Sequence, residues 1–417
     1  MIYRLLILSL AFASCAPKYA QEPGPKLAVV NIIDQNDMTE TISTTDRLRQ
    51  FEGTDFLSCQ PYKKVMRIFQ RDCEGNVLAY LTSYHPSGQP WQYVEVLNGR
   101  VNGTYLEWYP SGSLKVSATV IGGEADLTQA AEKTWIFDGL SQVWDEQGMK
   151  AADLPYSKGL LDGLCLYYHP NGNLWKKIPM CQGKREGDQE IFLECSALLS
   201  RSNFVGDQPC GPTQKFWPND TLAADEFFEN GKLIRGTYWD RCGKEISKVV
   251  NGNGKRILFG KESVSSVHSY INGVADGKVE NYTKEGKLAY YYHQKNGVKH
   301  GDEVHVYPGT LSPKLLVTYR SGKLHGPSKT WYRNGQLESQ KELSDNKKNG
   351  LLTAWYLDGS LMLIEEYNQD KLVKGEYYRR GEKLPVSEVL RGNGTATLFD
   401  SEGNFLRRVA YLNGAPD

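Results

Sequence analysis

The residues best suited to chemistry are eight cysteines, seven histidines and several paired acidic residues. The chain contains no Gly-x-Ser-x-Gly, Cys-x-x-Cys or His-Glu-x-x-His pattern, the spacings that place a nucleophile beside a base or ligands around a metal. Adjacent carboxylates such as Asp225-Glu226 and Glu365-Glu366 would point to opposite faces of a strand, so they cannot converge on one substrate. The sequence therefore predicts no catalytic site, no metal site and no cofactor.

The histidines follow a repeat instead of a ligand spacing. His85 and His169 each stand in a Tyr-His-Pro-x-Gly segment, and His300 and His325 each directly precede a glycine of the repeat described below. The other histidines have no cysteine or carboxylate at a spacing that suits a metal. We therefore expect His85 and His169 to occupy one turn position, and the repeat also accounts for His300 and His325.

Cys15 is predicted to carry lipid. Residues 1–15 contain a positive charge at Arg4, a short apolar core from Leu5 to Phe12, and the sequence Phe-Ala-Ser-Cys, which resembles the lipobox of bacterial lipoproteins. Acyl chains on Cys15 would anchor the protein in a membrane without crossing it, because two chains already suffice for stable anchoring. A secretory signal peptide with a coincidental cysteine is the alternative.

Residues 16–26 are rich in proline and are typical of an extended tether. Ala16 directly follows Cys15, where some bacterial lipoproteins carry an aspartate that retains them at the inner membrane. An alanine at this position, in place of the aspartate, favours the outer membrane. The prediction is an exported, lipid-anchored protein of the bacterial cell envelope.

The remaining cysteines raise the question of disulfides, because an exported chain meets oxidising conditions. Cys165 and Cys181 flank the turn at Asn171-Gly172 and are predicted to pair across a hairpin, and Cys59 with Cys73 is a second candidate pair. Without Cys15 the count is odd, so one thiol stays free or joins another chain. Buried free cysteines are the alternative to both.

A repeat of about 24 residues must position all of these side chains. Its clearest copies begin at Gly326 and Gly350, and each has an aromatic residue five positions after the opening glycine, a turn glycine nine positions after it and a leucine two positions later. The five-after position defines an aromatic ladder, structural or binding, whose predicted members are Tyr84, Trp108, Trp144, Tyr168, Phe216, Tyr282, Trp331 and Trp355.

Each repeat has the chemistry of a β-hairpin. Aromatic and β-branched residues lead into turns such as Arg333-Asn334-Gly335, and a second strand then ends in a turn such as Asn272-Gly273. Asn-Gly and Asp-Gly supply the positive φ angles that tight turns require. Two strands and two turns leave no room for helices in about 24 residues.

The repeat resembles the bacterial variant of the MORN repeat from about Ala79 to Asp417. The resemblance rests on the recurring Trp/Tyr-Tyr pair, the Asn-Gly or Asp-Gly turn and the leucine after it. It implies an all-β fold, an elongated single-layer antiparallel sheet of stacked hairpins. Many bacterial members of that family carry an antitoxin label, which implies inhibition of a partner protein as one function.

The predicted domains follow from this pattern. Residues 27–60 are predicted to form a small N-terminal α/β cap, with a strand at Leu27–Ile33 and a short helix at Thr45–Phe51, because a sheet end needs cover. Residues 61–417 are the hairpin repeats, in two similar blocks that divide near residue 277. Residues 122–133 interrupt the repeat, and we expect a surface excursion there, with a binding loop as the alternative.

A glycine-rich segment, Asn251 to Lys255, invites comparison with a phosphate-binding loop. It lacks the full spacing, the Lys-Ser/Thr pair and the following helix of such loops. A similar segment, Arg391 to Thr395, occupies the same phase of the second block. The sequence therefore predicts a turn in both places.

Composition limits the function. Acidic and basic residues number 49 each, which argues against a nucleic-acid-binding protein because no basic excess is available to neutralise phosphates. We expect a non-enzymatic scaffold that binds an unidentified protein partner through Tyr- and Trp-rich surface. A lipid- or glycan-binding surface protein and an antitoxin-like inhibitor are the alternatives, and the oligomeric state is left open.

Overall fold

The computed structural model describes residues 26–417, and its secondary structure is almost entirely β. The described residues fall into two compact units, the first ending at Leu161 and the second beginning at Asp162. Gly277, near which the sequence pattern divides into two blocks, lies inside the second unit. The compact units and the sequence blocks therefore do not share a boundary.

The first unit contains short antiparallel strands and two helices of four residues each. Its elements are β1 (Leu27–Asp34), β2 (Thr39–Ile42), α1 (Thr45–Leu48), β3 (Tyr62–Phe69), β4 (Leu78–Tyr84), β5 (Pro90–Leu97), β6 (Arg100–Trp108), β7 (Leu114–Val120), α2 (Gln129–Glu132), β8 (Gly139–Trp144), β9 (Lys150–Ser157) and β10 (Leu160–Leu161). β1 pairs with both β2 and β3, and from β3 onward each strand pairs antiparallel with the next.

The second unit continues in the same manner. Its strands are β11 (Gly163–Tyr168), β12 (Leu174–Cys181), β13 (Lys184–Arg185), β14 (Gly187–Phe192), β15 (Leu198–Val205), β16 (Gln208–Phe216), β17 (Leu222–Glu229), β18 (Lys232–Trp239), β19 (Glu245–Val250), β20 (Asn253–Phe259), β21 (Val264–Ile271), β22 (Val274–Tyr282), β23 (Leu288–Lys295), β24 (Val298–Val306), β25 (Pro313–Arg320), β26 (Lys323–Trp331), β27 (Leu337–Ser344), β28 (Lys347–Trp355), β29 (Leu361–Asn368), β30 (Lys371–Tyr378), β31 (Pro385–Leu390), β32 (Asn393–Phe399), β33 (Phe405–Leu412) and β34 (Ala415–Pro416).

Pairing in the second unit follows chain order. β11 pairs with β12, β12 pairs with both β13 and β14, and from β14 onward each strand pairs antiparallel with the next. The predicted all-β fold of stacked antiparallel hairpins is thus confirmed in each unit.

The turns have the backbone conformation that the sequence predicts. Trp355 ends β28 and pairs with Leu361 across a register shift, and Gly359 between them has φ of 86°. At the opposite end of another hairpin, Asn272 and Gly273 have φ of 52° and 80°. Positive φ at both central residues matches the right-handed twist of the flanking strands, which explains the recurring Asn-Gly pairs.

The N-terminal segment forms the predicted cap. β1 and α1 fall where the strand and the helix were expected, although the helix ends at Leu48 instead of Phe51. Val30, Ile42 and Leu48 pack with Phe56 and with residues of the first repeat strands in one buried cluster. The cap is therefore part of the core of the first unit.

The insertion after β7 covers apolar surface, contrary to the expectation of a surface excursion. Within the insertion, Ala131 is buried and Leu127 packs against the cluster of Val94, Val101 and Tyr105. Trp135, two residues after the insertion, is 7% exposed and belongs to the same cluster. Its indole Nε1 donates to the Glu124 carbonyl at 2.9 Å. A sheet without a second layer needs such a cover for its apolar face, and the interrupted repeat supplies it.

Each of the two glycine-rich segments is hydrogen-bonded to the turn of the next hairpin. Leu233 N donates to Gly273 O at 3.0 Å, and Gly273 N donates to Gly252 O at 2.9 Å. A Cβ atom at Gly252 would lie 2.4 Å from Gly273 N, so a side chain cannot fit there. The second copy repeats the arrangement with Leu372, Gly414 and Gly392. The glycine-rich segment at residues 251–255 is thus a turn, as predicted.

Candidate functional site

The predicted aromatic ladder has one structural position throughout. Each member is the last residue of a strand, directly before the hairpin turn. Tyr84 is 3% exposed, whereas the other predicted members are partly exposed. The ladder residues of the described chain are Tyr84, Trp108, Trp144, Tyr168, Phe216, Tyr282, Trp331 and Trp355.

The residue after most ladder positions locks neighbouring repeats together, a role that the sequence analysis missed. Tyr332 Oη donates to the Trp355 carbonyl at 2.8 Å, and Tyr356 Oη donates to the Tyr378 carbonyl at 2.7 Å. His85 and His169 occupy the same position, as do three further residues with the same type of contact, Tyr109, Trp217 and Tyr307. The sequence feature that could have indicated this contact is the second aromatic residue of the Trp/Tyr-Tyr pair.

His85 and His169 therefore have a structural role in their turns. His169 Nε2 lies 3.0 Å from the Phe192 carbonyl, and His85 Nε2 lies 3.0 Å from the Trp108 carbonyl. A carbonyl oxygen only accepts, so these contacts place the imidazole proton on Nε2. The expectation of turn positions at these histidines is confirmed.

An open groove of about 700 Å³ lies beside the His169 turn. We call it the Trp175 groove, and its walls include Tyr168, His169, Trp175, Phe192, Cys195 and Lys261. Tyr168 and Phe192 end β11 and β14, and Trp175 is the second residue of β12. Lys261 comes from the turn between β20 and β21, so a later hairpin completes the wall.

Side-chain amides hold the two turns of the groove in place. Asn171 Nδ2 and Asn173 Nδ2 both donate to the Glu194 carbonyl, at 2.9 and 2.7 Å. Together with the His169 contact to Phe192, they tie successive turns by three hydrogen bonds. The groove is therefore preformed, which lowers the entropic cost of binding.

The exposed indole is the main feature of the groove. Trp175 is 39% exposed, and its ring centroid lies 5.9 Å from that of His169. Lys176 Nζ lies 3.8 Å from the same indole ring, within the range of a cation–π contact. The lining itself contains one lysine, Lys261, and one acidic residue, Glu194. The arrangement suits an apolar or aromatic group that carries a negative charge next to it.

An ion-pair cluster stiffens the strands that carry the groove. Arg201 Nη2 lies 2.7 Å and Lys177 Nζ lies 3.3 Å from the Glu190 carboxylate. Burial alone would raise the pKa of Glu190, but hydrogen bonds from Arg201 and Lys177 lower it below its usual value. The carboxylate therefore stays charged and joins three adjacent strands, β12, β14 and β15.

A second polar cluster, around Glu226, is closed to solvent. Glu226 is 3% exposed; it accepts from Tyr238 Oη at 2.8 Å and from Arg256 Nε at 2.7 Å. Burial disfavours the charge on Arg256, yet the hydrogen bonds and charge of Glu226 raise the pKa of its guanidinium. In the second block of repeats, Glu365 occupies the position that corresponds to Glu226. Ala396 occupies the position that corresponds to Arg256, so Glu365 lacks this cationic partner. Both carboxylates are parts of the core.

The predicted disulfide is wrong. Cys165 lies opposite Ile178 in the β11–β12 pair, whereas Cys181 lies three residues further along β12 and pairs with Lys184. Side chains alternate between the two faces along a strand, and Cys181 is an odd number of residues from Ile178, the residue opposite Cys165. The two thiols therefore lie on opposite faces of the sheet. Cys165 is buried, Cys181 is exposed and both are free, as are Cys59 and Cys73. Burial raises the pKa of the Cys165 thiol, which makes it inert.

The lipidation prediction at Cys15 lies outside the described residues. In residues 26–417 the structure contains no helix with the length and apolar character that a membrane crossing requires. Over the same range, no three histidine, cysteine or acidic side chains come together as metal ligands.

Two features of the groove escaped the sequence analysis. Trp175 stands six residues after His169, as Trp91 does after His85, so the shared spacing was a usable signal. Lys261 gave no such signal, because it reaches the groove from a hairpin several repeats later. Only the packing of the strands brings it there.

The comparison with family models supports the repeat assignment. The model for the MORN repeat variant (MORN_2) matches residues 161–182 and 324–345. These two segments contain Tyr168 and Trp331 of the ladder, each followed by its Asn-Gly turn. The chain therefore contains MORN-variant repeats, and the first match includes the His169 turn and Trp175.

No curated protein matches the chain. Among solved structures, the crystal structure of TcdB2-TccC3 without its hypervariable C-terminal region aligns at 11% identity, covering 93% of this chain and 24% of that one, with a TM-score of 0.16. The crystal structure of TcdB2-TccC3-TEV aligns at 12% identity, covering 91% and 24%, with a TM-score of 0.12. The chain thus spans about a quarter of either structure, and TM-scores this low do not establish a shared fold.

Proposed function

We propose that this protein is a non-enzymatic scaffold, anchored by lipid at the bacterial cell envelope, whose Trp175 groove binds an extended segment of another protein. The observation that carries the proposal is an open, preformed aromatic groove with two lysines beside an exposed indole. Stacked repeats commonly present extended surfaces for recognition. Tryptophan is also among the residues that dominate the binding energy of protein interfaces.

The groove selects for a particular kind of segment. An aromatic or long aliphatic side chain laid against Trp175 and Phe192 would gain roughly 1.5–3 kcal/mol from burial. Lys261 in the lining and Lys176 against the indole would favour an aspartate or glutamate beside that anchor, whereas Glu194, which also lines the groove, would disfavour one next to it. The partner segment therefore combines an apolar anchor with an acidic neighbour.

The groove binds and does not catalyse in this proposal. Cys195 and His169 are the only pair of lining residues named above that resembles a nucleophile and a base. His169 donates from Nε2 to the Phe192 carbonyl, and in residues 26–417 no hydrogen bond joins its other nitrogen, Nδ1, to the Cys195 thiol, as an activated nucleophile would require.

The anchor follows from the N-terminal sequence. Lipid on Cys15 and a tether of residues 16–26 would hold the repeats close to the bilayer. The anchor concentrates the scaffold at the membrane and leaves recognition to the groove.

A capture experiment with matched variants tests the proposal. Mature wild-type protein, Trp175→Ala and Trp91→Ala are used as baits in extracts of the cell envelope, because Trp91 is an exposed tryptophan at the same repeat position. We expect wild type and Trp91→Ala to retain one protein that Trp175→Ala loses. Equal retention by all three baits would contradict the groove as the binding site.

Liposome flotation separates the lipid-binding alternative. A Cys15→Ala protein lacks the anchor, so a protein-binding scaffold should stay at the bottom of the gradient. Flotation of Cys15→Ala with liposomes of anionic lipid would instead show that the repeats bind membrane lipid directly.

A further inference from the structure

One repeat of the second unit lacks the ring that locks other repeats to their neighbours. In the described chain, seven residues that directly follow a strand place a ring nitrogen or a hydroxyl against the carbonyl of the residue that ends a strand of the next hairpin. They are His85, Tyr109, His169, Trp217, Tyr307, Tyr332 and Tyr356. β20 ends at Phe259, and the residue that follows it is Gly260. This position therefore has no side chain.

The spacing of these contacts identifies the carbonyl that Gly260 leaves without a locking ring. Tyr356 donates to the carbonyl of Tyr378, which is 22 residues later and ends β30. The residue 22 positions after Gly260 is Tyr282, which ends β22. Within residues 26–417 no side chain donates to the Tyr282 carbonyl, and a carbonyl oxygen has two lone pairs with which to accept.

A cavity of about 360 Å³ lies at this position. We call it the Gly260 cavity, and its walls include Gly260, Ser263, Ser265, Tyr282 and Thr283. Gly260 and Ser265 are exposed, so the cavity is accessible from solvent. The cavity therefore takes the place of the missing ring, and its volume falls within the range of ligand pockets, about 300–1,000 Å³.

The turn beside the cavity is held as firmly as the turns that have a locking ring. Ser263 Oγ donates to the Lys284 carbonyl, two residues after Tyr282, at 3.1 Å. In the repeat locked by Tyr109, Ser113 Oγ makes the corresponding contact with the carbonyl of Glu146 at 3.0 Å. Only the ring is missing from the Gly260 turn, so the cavity is preformed.

The backbone at Gly260 does not require glycine. Its φ lies outside the left-handed region that favours glycine. A Cβ atom there would lie 3.5 Å from the Ser263 carbonyl oxygen and 4.0 Å from the Ser265 Cβ, which are ordinary contacts. The space is therefore sterically available to a ring, whether it comes from this chain or from another.

We propose that the Gly260 cavity binds a tyrosine side chain of another protein, whose hydroxyl donates to the Tyr282 carbonyl. Four of the seven rings that occupy the equivalent position are tyrosines, so the chain itself shows that a phenol fits between two such turns. The partner would complete the repeat in the way that Tyr332 and Tyr356 complete their own.

The hydroxyl, and not charge, sets the selectivity of this site. The charged residues of the lining, Lys261, Glu262 and Lys284, have both signs. A site that hydrogen-bonds a hydroxyl rejects the analogue that lacks it, so tyrosine is favoured over phenylalanine. Lys261 also lines the Trp175 groove, but the other lining residues of the two sites differ. Trp175→Ala should therefore leave the Gly260 cavity unchanged.

Two blocked amino acids test the proposal with the mature chain. N-acetyl-tyrosinamide and N-acetyl-phenylalaninamide differ only in the hydroxyl, and ligand-observed NMR titrations measure the binding of each. We expect the tyrosine probe to bind about fivefold tighter or more, because only its hydroxyl can donate to the carbonyl. Trp175→Ala controls for rings bound in the neighbouring groove and should show the same preference. Equal binding of the two probes, or a preference that Trp175→Ala abolishes, would overturn the proposal.

A substitution that fills the cavity locates the binding site. Gly260→Tyr supplies a locking ring from the chain itself, so we expect a higher Tm and a loss of tyrosine-probe binding of about tenfold or more, because the cavity is occupied. Gly260→Ala is the matched control; it adds only a Cβ atom and should keep most of the binding. Circular dichroism checks that each variant retains its β structure. Unchanged binding by folded Gly260→Tyr would overturn the proposal.

The reverse substitution keeps the proposal testable if Gly260→Tyr does not fold. Tyr332→Gly removes the ring that donates to the Trp355 carbonyl and should create a second cavity of the same kind. 4-Methylphenol is the tyrosine side chain without its backbone, whereas 4-methylanisole has no hydroxyl to donate. We expect 4-methylphenol to raise the Tm of Tyr332→Gly more than that of wild type, and 4-methylanisole to raise neither by as much. Equal effects of the two compounds on Tyr332→Gly would overturn the proposal.

Discussion

The turns at His85 and at His169 have nearly the same sequence but different surroundings. In both, the histidine Nε2 contacts at 3.0 Å the carbonyl of an aromatic residue that ends a later strand, Trp108 or Phe192, and a tryptophan six residues after the histidine lies beside the imidazole. At the first turn the N-terminal cap contacts the turn, because Gln60 N donates to the Gly88 carbonyl at 2.9 Å. At the second turn the space is left open as the Trp175 groove.

The ladder residues show the same contrast. Tyr84 is 3% exposed, and its hydroxyl donates to the Phe56 carbonyl of the cap at 2.8 Å. Tyr168 is partly exposed and lines the groove. One local unit therefore serves as a structural contact in one place and as a binding surface in another, and its neighbours decide which.

The largest expected difference is between Tyr84→Ala and Tyr168→Ala. Removing a buried aromatic side chain typically costs about 3–5 kcal/mol, and Tyr84 also loses its hydrogen bond to the cap. We expect a loss in that range for Tyr84→Ala and roughly 1–2 kcal/mol for Tyr168→Ala, because less surface returns to water. Urea denaturation measures both, and equal losses would show that the cap does not bury the first turn.

A smaller difference is expected between Gly88→Ala and Gly148→Ala. Both glycines have positive φ, 86° and 82°, so alanine is strained at either position. A Cβ at Gly88 would also lie 2.7 Å from the Gln60 carbonyl oxygen, whereas Gly148 has nothing within 4 Å. We expect a loss of about 1 kcal/mol for Gly148→Ala from the backbone strain alone, and at least twice that for Gly88→Ala. Comparable losses would contradict the close contact between cap and turn.

Alkaline pH should weaken the first turn. Burial raises the pKa of the Tyr84 hydroxyl above its usual value near 10. Between pH 10 and that raised pKa, the unfolded chain loses this proton and the folded chain keeps it, so stability falls as the pH rises. The advantage of wild type over Tyr84→Phe should therefore shrink by about 1.4 kcal/mol for each pH unit above 10. A constant difference from pH 9 to 11.5 would show that Tyr84 titrates normally.

The smallest expected effect on stability comes from Trp175→Ala and Trp91→Ala. Both indoles are about 40% exposed, at 39% and 43%, and Trp175 loses mainly its contact with Lys176. An exposed cation–π contact contributes about 0.5–1 kcal/mol. We expect each variant to lose roughly 1 kcal/mol or less in urea denaturation. A much larger loss for Trp175→Ala would make it a core residue and not part of a binding surface.

Much of the fold could be predicted because it is local. The Asn-Gly pair at Asn272-Gly273 determines its own turn, and the residue pattern around Trp331 and Trp355 determines where each strand ends. Each feature depends on residues a few positions away, so one repeat contains all the information that it needs.

The errors arose where distant residues meet. The Cys165–Cys181 pair failed because register, and not closeness in sequence, decides which side chains face each other. Trp135 reaches the core from the end of an insertion, residues 122–133, that has no counterpart in the repeat. Lys261 enters the groove from a later hairpin. None of these contacts recurs with the period of the repeat, so the sequence pattern does not indicate them.

Site-specific photo-cross-linking in intact cells tests the central claim most directly. A photoreactive phenylalanine analogue is placed at Cys195, in the groove, or at Ser111, which holds the corresponding place after the His85 turn. Both residues are exposed. We expect an adduct with one protein from position 195 and none from position 111. Equal adducts from both positions, or an adduct from position 111 alone, would contradict it.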